Sequence, residues 1–209
     1  MSKKLKGLYA ITDEVLTPLK TIEENVKTAL QNGVNIIQYR DKNSDEKVLR
    51  TTAIALQNLC NSYDALFVLN DHINLAIELG CDGLHVGKSD HHRFTEIRKN
   101  FRGVIGVSCY GDIKLAKGFE EKGANYVAFG SFFPSKTKPN SKVVTLDVLT
   151  QAKKELTIPI CSIGGINASN IKSITQTGVD MICCIDAIFN GNIKENIENL
   201  YKNMEQKSN

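Results

Sequence analysis

FVLNDHINLAIELGCDGLHVGKSD, Phe67 to Asp90, is one complete strand–helix–strand unit. An apolar run, ALFVLN (65–70), ends at the polar Asn70 and is followed by Asp71. A helical segment begins at Ile73, and Gly80 stands where a left-handed C-cap feeds the next loop. GLHVG (83–87) is then a second apolar strand. Two strands joined through a helix lie parallel in one sheet. Both runs are nearly continuous in apolar residues rather than alternating, the mark of strands covered on both faces.

The same rhythm runs outward in both directions. Strand-like runs recur at GLYAIT (7–12), NIIQYR (35–40), VIGVSC (104–109), YVAFGSF (126–132), PICSIGG (159–165) and MICCIDAI (181–188). Stretches of helical period lie between them, at 21–31, 45–59, 112–122, 146–154, 170–177 and 193–203. Gly33, Gly123 and Gly178 precede strands as Gly80 does. Eight such units in 209 residues predict a (β/α)8 TIM barrel, at the short end of that fold. A doubly wound open sheet is the alternative, but it more often has five or six strands and binds at a reversal of strand order. One domain is expected over 1–209, with 201–209 as a frayed tail.

Composition narrows the function classes. The formal net charge of +3 is too small to argue for nucleic acid or a membrane surface, though it suits an anionic small molecule. Six cysteines form no C-x-x-C pair, and four sit in apolar runs, so a reducing compartment without disulfides is expected. No segment approaches the roughly 20 apolar residues of a membrane span, and the cytoplasm is the expected location. Nothing in the sequence defines an oligomeric state, and a homo-oligomer stays open.

In a barrel the chemistry lies where strands exit at their C-terminal ends. Gln38, Arg40 and Lys42 alternate along the second exit and so share one side of a pleated chain. Asn70 and Asp71 end the third strand, Lys88 and Asp90 follow the fourth, and Ser108 ends the fifth. The sixth runs into SFFPSKTKPNSK (131–142), a proline-stiffened basic loop with Ser135, Lys136, Thr137 and Lys138. Gly164 and Gly165 end the seventh strand, and Ile185 and Asp186 lie on the eighth. Each element has a plainer meaning: the basic alternation as a solvated strand end, Asn70-Asp71 or Asp90 as helix caps, the glycines as turn chemistry. His85, His91 and His92 fit no zinc spacing. Co-location on one rim favours function. Asp71 and Asp90 from neighbouring exits suit Mg²⁺, which takes one or two carboxylates, keeps waters and binds substrate phosphates. Arg40, Lys42 and Lys138 supply positive charge for phosphoryl oxygens. The seventh and eighth exits are the usual phosphate cradle of such barrels. Two anionic subsites are expected, one metal-bound and one metal-free.

IQYRDK, FVLNDHINLAIELGCDGLHVGKSD, IGVSCY, YVAFGSFFPSKTKP and CSIGGI, taken in order from Leu8 to Phe189, resemble the thiamine-phosphate synthase family. The resemblance implies a barrel that joins 4-amino-5-hydroxymethyl-2-methylpyrimidine diphosphate to hydroxyethyl-methylthiazole phosphate, with Mg²⁺. It implies pyrimidine-diphosphate contacts at Gln38, Arg40, Lys42, Asn70, Ser108 and Lys138, and Mg²⁺ ligands at Asp71 and Asp90. Lys138, Arg40 and Ser108 would carry catalysis. Thiazole-phosphate contacts fall on Ser135, Lys136, Thr137, Gly165, Ile185 and Asp186.

Three positions depart from the family pattern. Asp186 stands where serine is usual, and a carboxylate there would repel phosphate. Either its backbone N–H binds while the carboxylate turns away, or the subsite is altered. Tyr39 replaces a common leucine and should pack only. Tyr110 stands where histidine is frequent and is assigned no role. A thiazole tautomerase of the same superfamily and a non-catalytic sensor of thiamine precursors are the rival readings. The full charged set argues against both.

Overall fold

The computed structural model describes residues 5–134 and 142–204. Eight parallel strands close into a barrel in sequence order: β1 (Gly7–Ile11), β2 (Ile36–Tyr39), β3 (Leu66–Asn70), β4 (Gly83–Val86), β5 (Val104–Tyr110), β6 (Tyr126–Phe129), β7 (Ile160–Ile163) and β8 (Met181–Cys184). Closure is made by β8 against β1, with Leu8 opposite Ile182 and Ala10 opposite Cys184. The fold is therefore the (β/α)8 barrel, not the open sheet.

Around it lie α1 (Ile22–Gln31), α2 (Glu46–Ser62), α3 (Ile73–Leu79), α4 (Phe94–Asn100), α5 (Ile113–Glu121), α6 (Asp147–Glu155), α7 (Ile171–Thr175), α8 (Asp186–Phe189) and α9 (Ile193–Met204). A 3-10 turn, Lys88–Arg93, precedes α4. Local chemistry starts and stops these helices. The Asp45 carboxylate accepts from Val48 N and the Asp112 carboxylate from Leu115 N, each at 2.9 Å. Gly80 ends α3 at φ 60°.

The near-continuous apolar strands serve two cores. In β1, Leu8 and Ala10 face the helices while Tyr9 and Ile11 face the barrel interior with Ile36, Leu66, Val68 and Met181. Each fully buried aliphatic or aromatic side chain contributes roughly 1.5–3 kcal/mol, so both layers hold the barrel closed. All six cysteines are buried, and none forms a disulfide. Among the described residues no helix is long and apolar enough to cross a membrane.

Two runs read as strands stop early. YVAFGSF leaves the sheet after Phe129, and MICCIDAI after Cys184. Each end falls where the last ladder partner does: Phe129 pairs Ser162, and Cys184 pairs Ala10. Past Cys184 the apolar residues Ile188 and Phe189 are buried by a short helix instead. Apolar content alone does not separate the two.

Candidate active site

A cavity of about 820 Å³ opens over the C-terminal ends of the strands. Gln38, Arg40, Asn70, Ser108, Gly165, Ile185 and Asp186 line it, as the exit argument requires. Lys42, Asp71 and Asp90 are outside its lining. Ser135, Lys136, Thr137 and Lys138 lie outside the described residues.

The cavity floor is a hydrogen-bonded chain across the barrel. Gln38 Nε2 donates to the Tyr9 hydroxyl at 2.6 Å, and that hydroxyl lies 2.8 Å from the Tyr126 hydroxyl. His85 bridges Tyr126, 3.0 Å from Nδ1, and Ser108 Oγ, 2.9 Å from Nε2. Burial pushes both phenols well above their ordinary pKa, so they keep their protons. Gly106 makes room for this chain, because a Cβ there would fall inside the Tyr126 ring. Tyr9 and Tyr126 were not legible as site residues, since a tyrosine inside an apolar run reads as core. His85, which fits no zinc spacing in the sequence, is hydrogen-bonded at both ring nitrogens and lines the cavity.

On the next wall Thr12, 1% exposed, accepts Arg40 N–H at 3.0 Å and fixes the start of the second exit. β2 ends at Tyr39, and the alternation that placed Lys42 beside Arg40 ends with it. The chain turns there instead. The Asp41 carboxylate accepts from Asn43 N, Ser44 N and Tyr39 OH, and Lys42 N–H is held by Glu14 at 2.8 Å. The Lys42 side chain is exposed. Tyr39 is 1% exposed, the packing role expected of it, with its hydroxyl on Asp41.

Neither Asp71 nor Asp90 is a helix N-cap. α3 begins after His72, without a side-chain cap bond. Asp71, at φ 58°, accepts instead from Gly87 N at 3.0 Å and Asn70 Nδ2 at 2.9 Å. Asp90 accepts from Ser89 Oγ and lies 3.9 Å from Arg93. Among the described residues no three His, Cys, Asp or Glu side chains gather as a metal cage. The donor set still fits Mg²⁺: two carboxylates on adjacent exits, each oxygen of Asp71 already oriented by a donor, with the remaining positions left to water and phosphate oxygens. Tyr110, given no role from the sequence, lines the cavity. Its pKa is raised by burial first and then by the Asp71 charge.

The opposite wall is backbone-rich. Phe133 N donates to Gly164 O at 3.0 Å, and Ser131 Oγ donates to Phe133 O at 2.9 Å. A Cβ on Gly165, at φ 64°, would strike the carbonyls of Phe133 and Pro134. The glycine is thus required by the close passage of the loop after β6. Asp186 is exposed, and its Oδ1 accepts from Asn190 Nδ2 at 3.1 Å, back along α8. Asp186 remains part of the cavity lining.

A family model described as thiamine monophosphate synthase matches residues 8–188. The chain belongs to the thiamine monophosphate synthase family. It is 40% identical over 191 residues to a thiamine-phosphate synthase of Nitrosococcus oceani, covering 90% of this chain and 88% of the relative. It is 43% identical over 190 residues to that of Acidithiobacillus ferrooxidans, covering 88% and 87%. A thiamine phosphate pyrophosphorylase structure from Pyrococcus furiosus superposes with a TM-score of 0.85 at 33% identity, covering 97% of both chains. The match to the thiamine monophosphate synthase family runs from β1 into α8 and contains the whole described lining of the cavity.

Proposed function

We propose that this chain is a thiamine-phosphate synthase, joining 4-amino-5-hydroxymethyl-2-methylpyrimidine diphosphate to hydroxyethyl-methylthiazole phosphate and releasing diphosphate. The observation that carries the reading is one cavity with two unlike walls, inside a chain of this family. Gln38, Arg40, Asn70 and Ser108 make a polar wall, and Gly164, Gly165 and Ile185 make a backbone-rich one. The first suits a charged heterocycle and the second a phosphate approached by N–H groups.

The reaction replaces a C–O bond at the pyrimidine methylene with a C–N bond to the thiazole. The C–O bond breaks with both electrons going to diphosphate. Positive charge on the methylene spreads into the aminopyrimidine, and the thiazole nitrogen then attacks with its lone pair. No proton is lost from that nitrogen, so no general base is needed and no enzyme adduct forms. Arg40, its backbone held by Thr12, stabilises the departing diphosphate. Ser108, held by His85, orients the pyrimidine. Lys138 is proposed to meet the leaving group, with Lys42 near the same rim, and Ser135, Lys136 and Thr137 the thiazole phosphate. Asp71 and Asp90 would hold Mg²⁺, which supplies charge neutralisation to the diphosphate when bound. Six buried cysteines without a disulfide suit a reducing cytoplasm.

The test mixes the two precursors with Mg²⁺ and follows thiamine phosphate and diphosphate. Both products are expected, and Lys138→Ala should lower the rate by about 10²–10³. Rearomatised thiazole without coupling would indicate the tautomerase instead, and binding without turnover the sensor.

A further inference from the structure

Five strands each contribute one polar side chain to the floor: Tyr9 from β1, Gln38 from β2, His85 from β4, Ser108 from β5 and Tyr126 from β6. The two tyrosines at its centre are fully buried, at 1% and 0% exposure, while Gln38, His85 and Ser108 line the cavity. A structural role alone would need only that each group be satisfied. The chain does more, because its proton arrangement has one direction.

Gln38 meets Tyr9 through its amide nitrogen. That nitrogen has no lone pair to offer, so it donates and the phenol oxygen accepts. The Tyr9 proton must then go elsewhere, and the Tyr126 oxygen at 2.8 Å takes it. The Tyr126 proton is passed in turn to His85 Nδ1. A histidine accepting at Nδ1 carries its proton on Nε2, which donates to Ser108 Oγ. The proton left over is that of Ser108, and Ser108 faces the cavity. The opposite direction would require the Gln38 amide to turn its oxygen to Tyr9 and its nitrogen to the cavity; with the amide as it stands, the Tyr9 proton would be left among apolar residues and the poorly accepting thiols of Cys161 and Cys183. A buried donor without a partner is strongly disfavoured. Bonds that all run one way also reinforce one another.

We propose that Tyr9 and Tyr126 are positioning residues that set the hydrogen-bond polarity of the pyrimidine site, leaving Gln38 Oε1 as an acceptor and the Ser108 hydroxyl as a donor toward the substrate. The proposal rests on the synthase reading above. A 4-aminopyrimidine presents a donor amine beside an accepting ring nitrogen and matches this polarity. The 4-oxo analogue presents an accepting carbonyl beside a ring N–H and opposes it. Sites that hydrogen-bond one pattern reject the reverse because buried groups are left unpaired.

Two measurements test it. In the wild-type protein at mildly alkaline pH, long-range ¹⁵N–¹H correlation of the histidine rings should find the His85 proton on Nε2; a proton on Nδ1 overturns the proposal, and no variant need fold for this result. In kinetics, Tyr126→Phe should lower kcat/KM for the 4-aminopyrimidine diphosphate about tenfold or more, from the loss of one buried partner. The preference for the amino over the 4-oxo diphosphate should narrow by a similar factor, while KM for the thiazole phosphate holds. Tyr9→Phe cuts the same chain at the Gln38 end and should behave alike. Thermal melts separate lost stability from lost discrimination. If the wild type couples the two precursors but both folded variants keep its amino-to-oxo ratio, the proposal fails and the synthase reading stands. If the wild type does not couple them, the synthase reading fails first.

Discussion

The Asp71 carboxylate accepts the backbone N–H of Gly87 at 3.0 Å, which fastens the exit of β3 to the turn that carries Asp90. The Asp90 N–H in turn donates to Gly87 O at 3.2 Å. One carboxylate therefore both offers charge to the rim and sets where the second one starts.

Asp71→Asn separates these two jobs. The amide oxygen can still accept from Gly87, but the charge and the acceptor for Asn70 Nδ2 are gone. The rate is expected to fall by about 10²–10³, with the Mg²⁺ dependence shifted to higher concentration and the melting temperature lowered only by the loss of that one hydrogen bond. A magnesium titration of the rate checks it; an unchanged titration curve would sink the Mg²⁺ assignment.

Asp186 leaves an exposed carboxylate beside the backbone-rich wall. Two unit charges about 4 Å apart in water repel by about 1 kcal/mol, so Asp186→Ser should lower KM for the thiazole phosphate about fivefold at low salt. The gain should shrink as salt screens it. Equal KM values for the two proteins at low ionic strength would count against repulsion.

Asp41 should tie stability to pH. Burial alone would raise its pKa, but the Ser44 hydroxyl and N–H, the Asn43 N–H and the Tyr39 hydroxyl outweigh that and hold it below the usual carboxylate value. A carboxyl depressed in the folded state contributes stability in full above its unfolded value of about 3.9 and loses it as pH falls through the lower folded value. Wild type should lose this increment on acidification below that point, and Asp41→Asn should lack it at every pH. Urea midpoints measured across the acid range decide the matter; parallel curves for the two proteins would refute it.

Two glycines should respond oppositely to alanine. At Gly106 the new Cβ meets the Tyr126 ring, and overpacking of this kind costs about 1–3 kcal/mol. It should also displace the floor chain and weaken pyrimidine binding. At Gly118, inside α5, nothing lies within 4 Å, and alanine should stabilise by about 0.5–1 kcal/mol. Denaturant melts of both variants check the pair, and a stabilised Gly106→Ala would contradict the packing described.

Part of the site was legible because polar residues at the ends of apolar runs are conspicuous. Gln38, Arg40, Asn70 and Ser108 were found that way, and all four line the cavity. Lys42 was placed with them by extending a two-residue period past Tyr39, where the ladder has already ended. Period counts hold only while hydrogen bonds keep the chain pleated. Tyr9 and Tyr126 left no signal, since an apolar run hides whether a phenol is packed or bonded.

By itself the sequence determined eight strand–helix units of a parallel sheet and favoured the barrel on whose rim the chemistry gathers; closure of β8 on β1 is what excludes the open sheet. The units follow from local periodicity and from residues a few positions apart. Only the tertiary structure decided which hydroxyl meets which nitrogen across the floor, that Asp71 holds Gly87 rather than capping α3, and that Asp186 bonds Asn190. Pairs such as Tyr9 and Tyr126 stand 117 residues apart and are joined when the barrel closes. Strand register and closure, not local propensity, set such contacts.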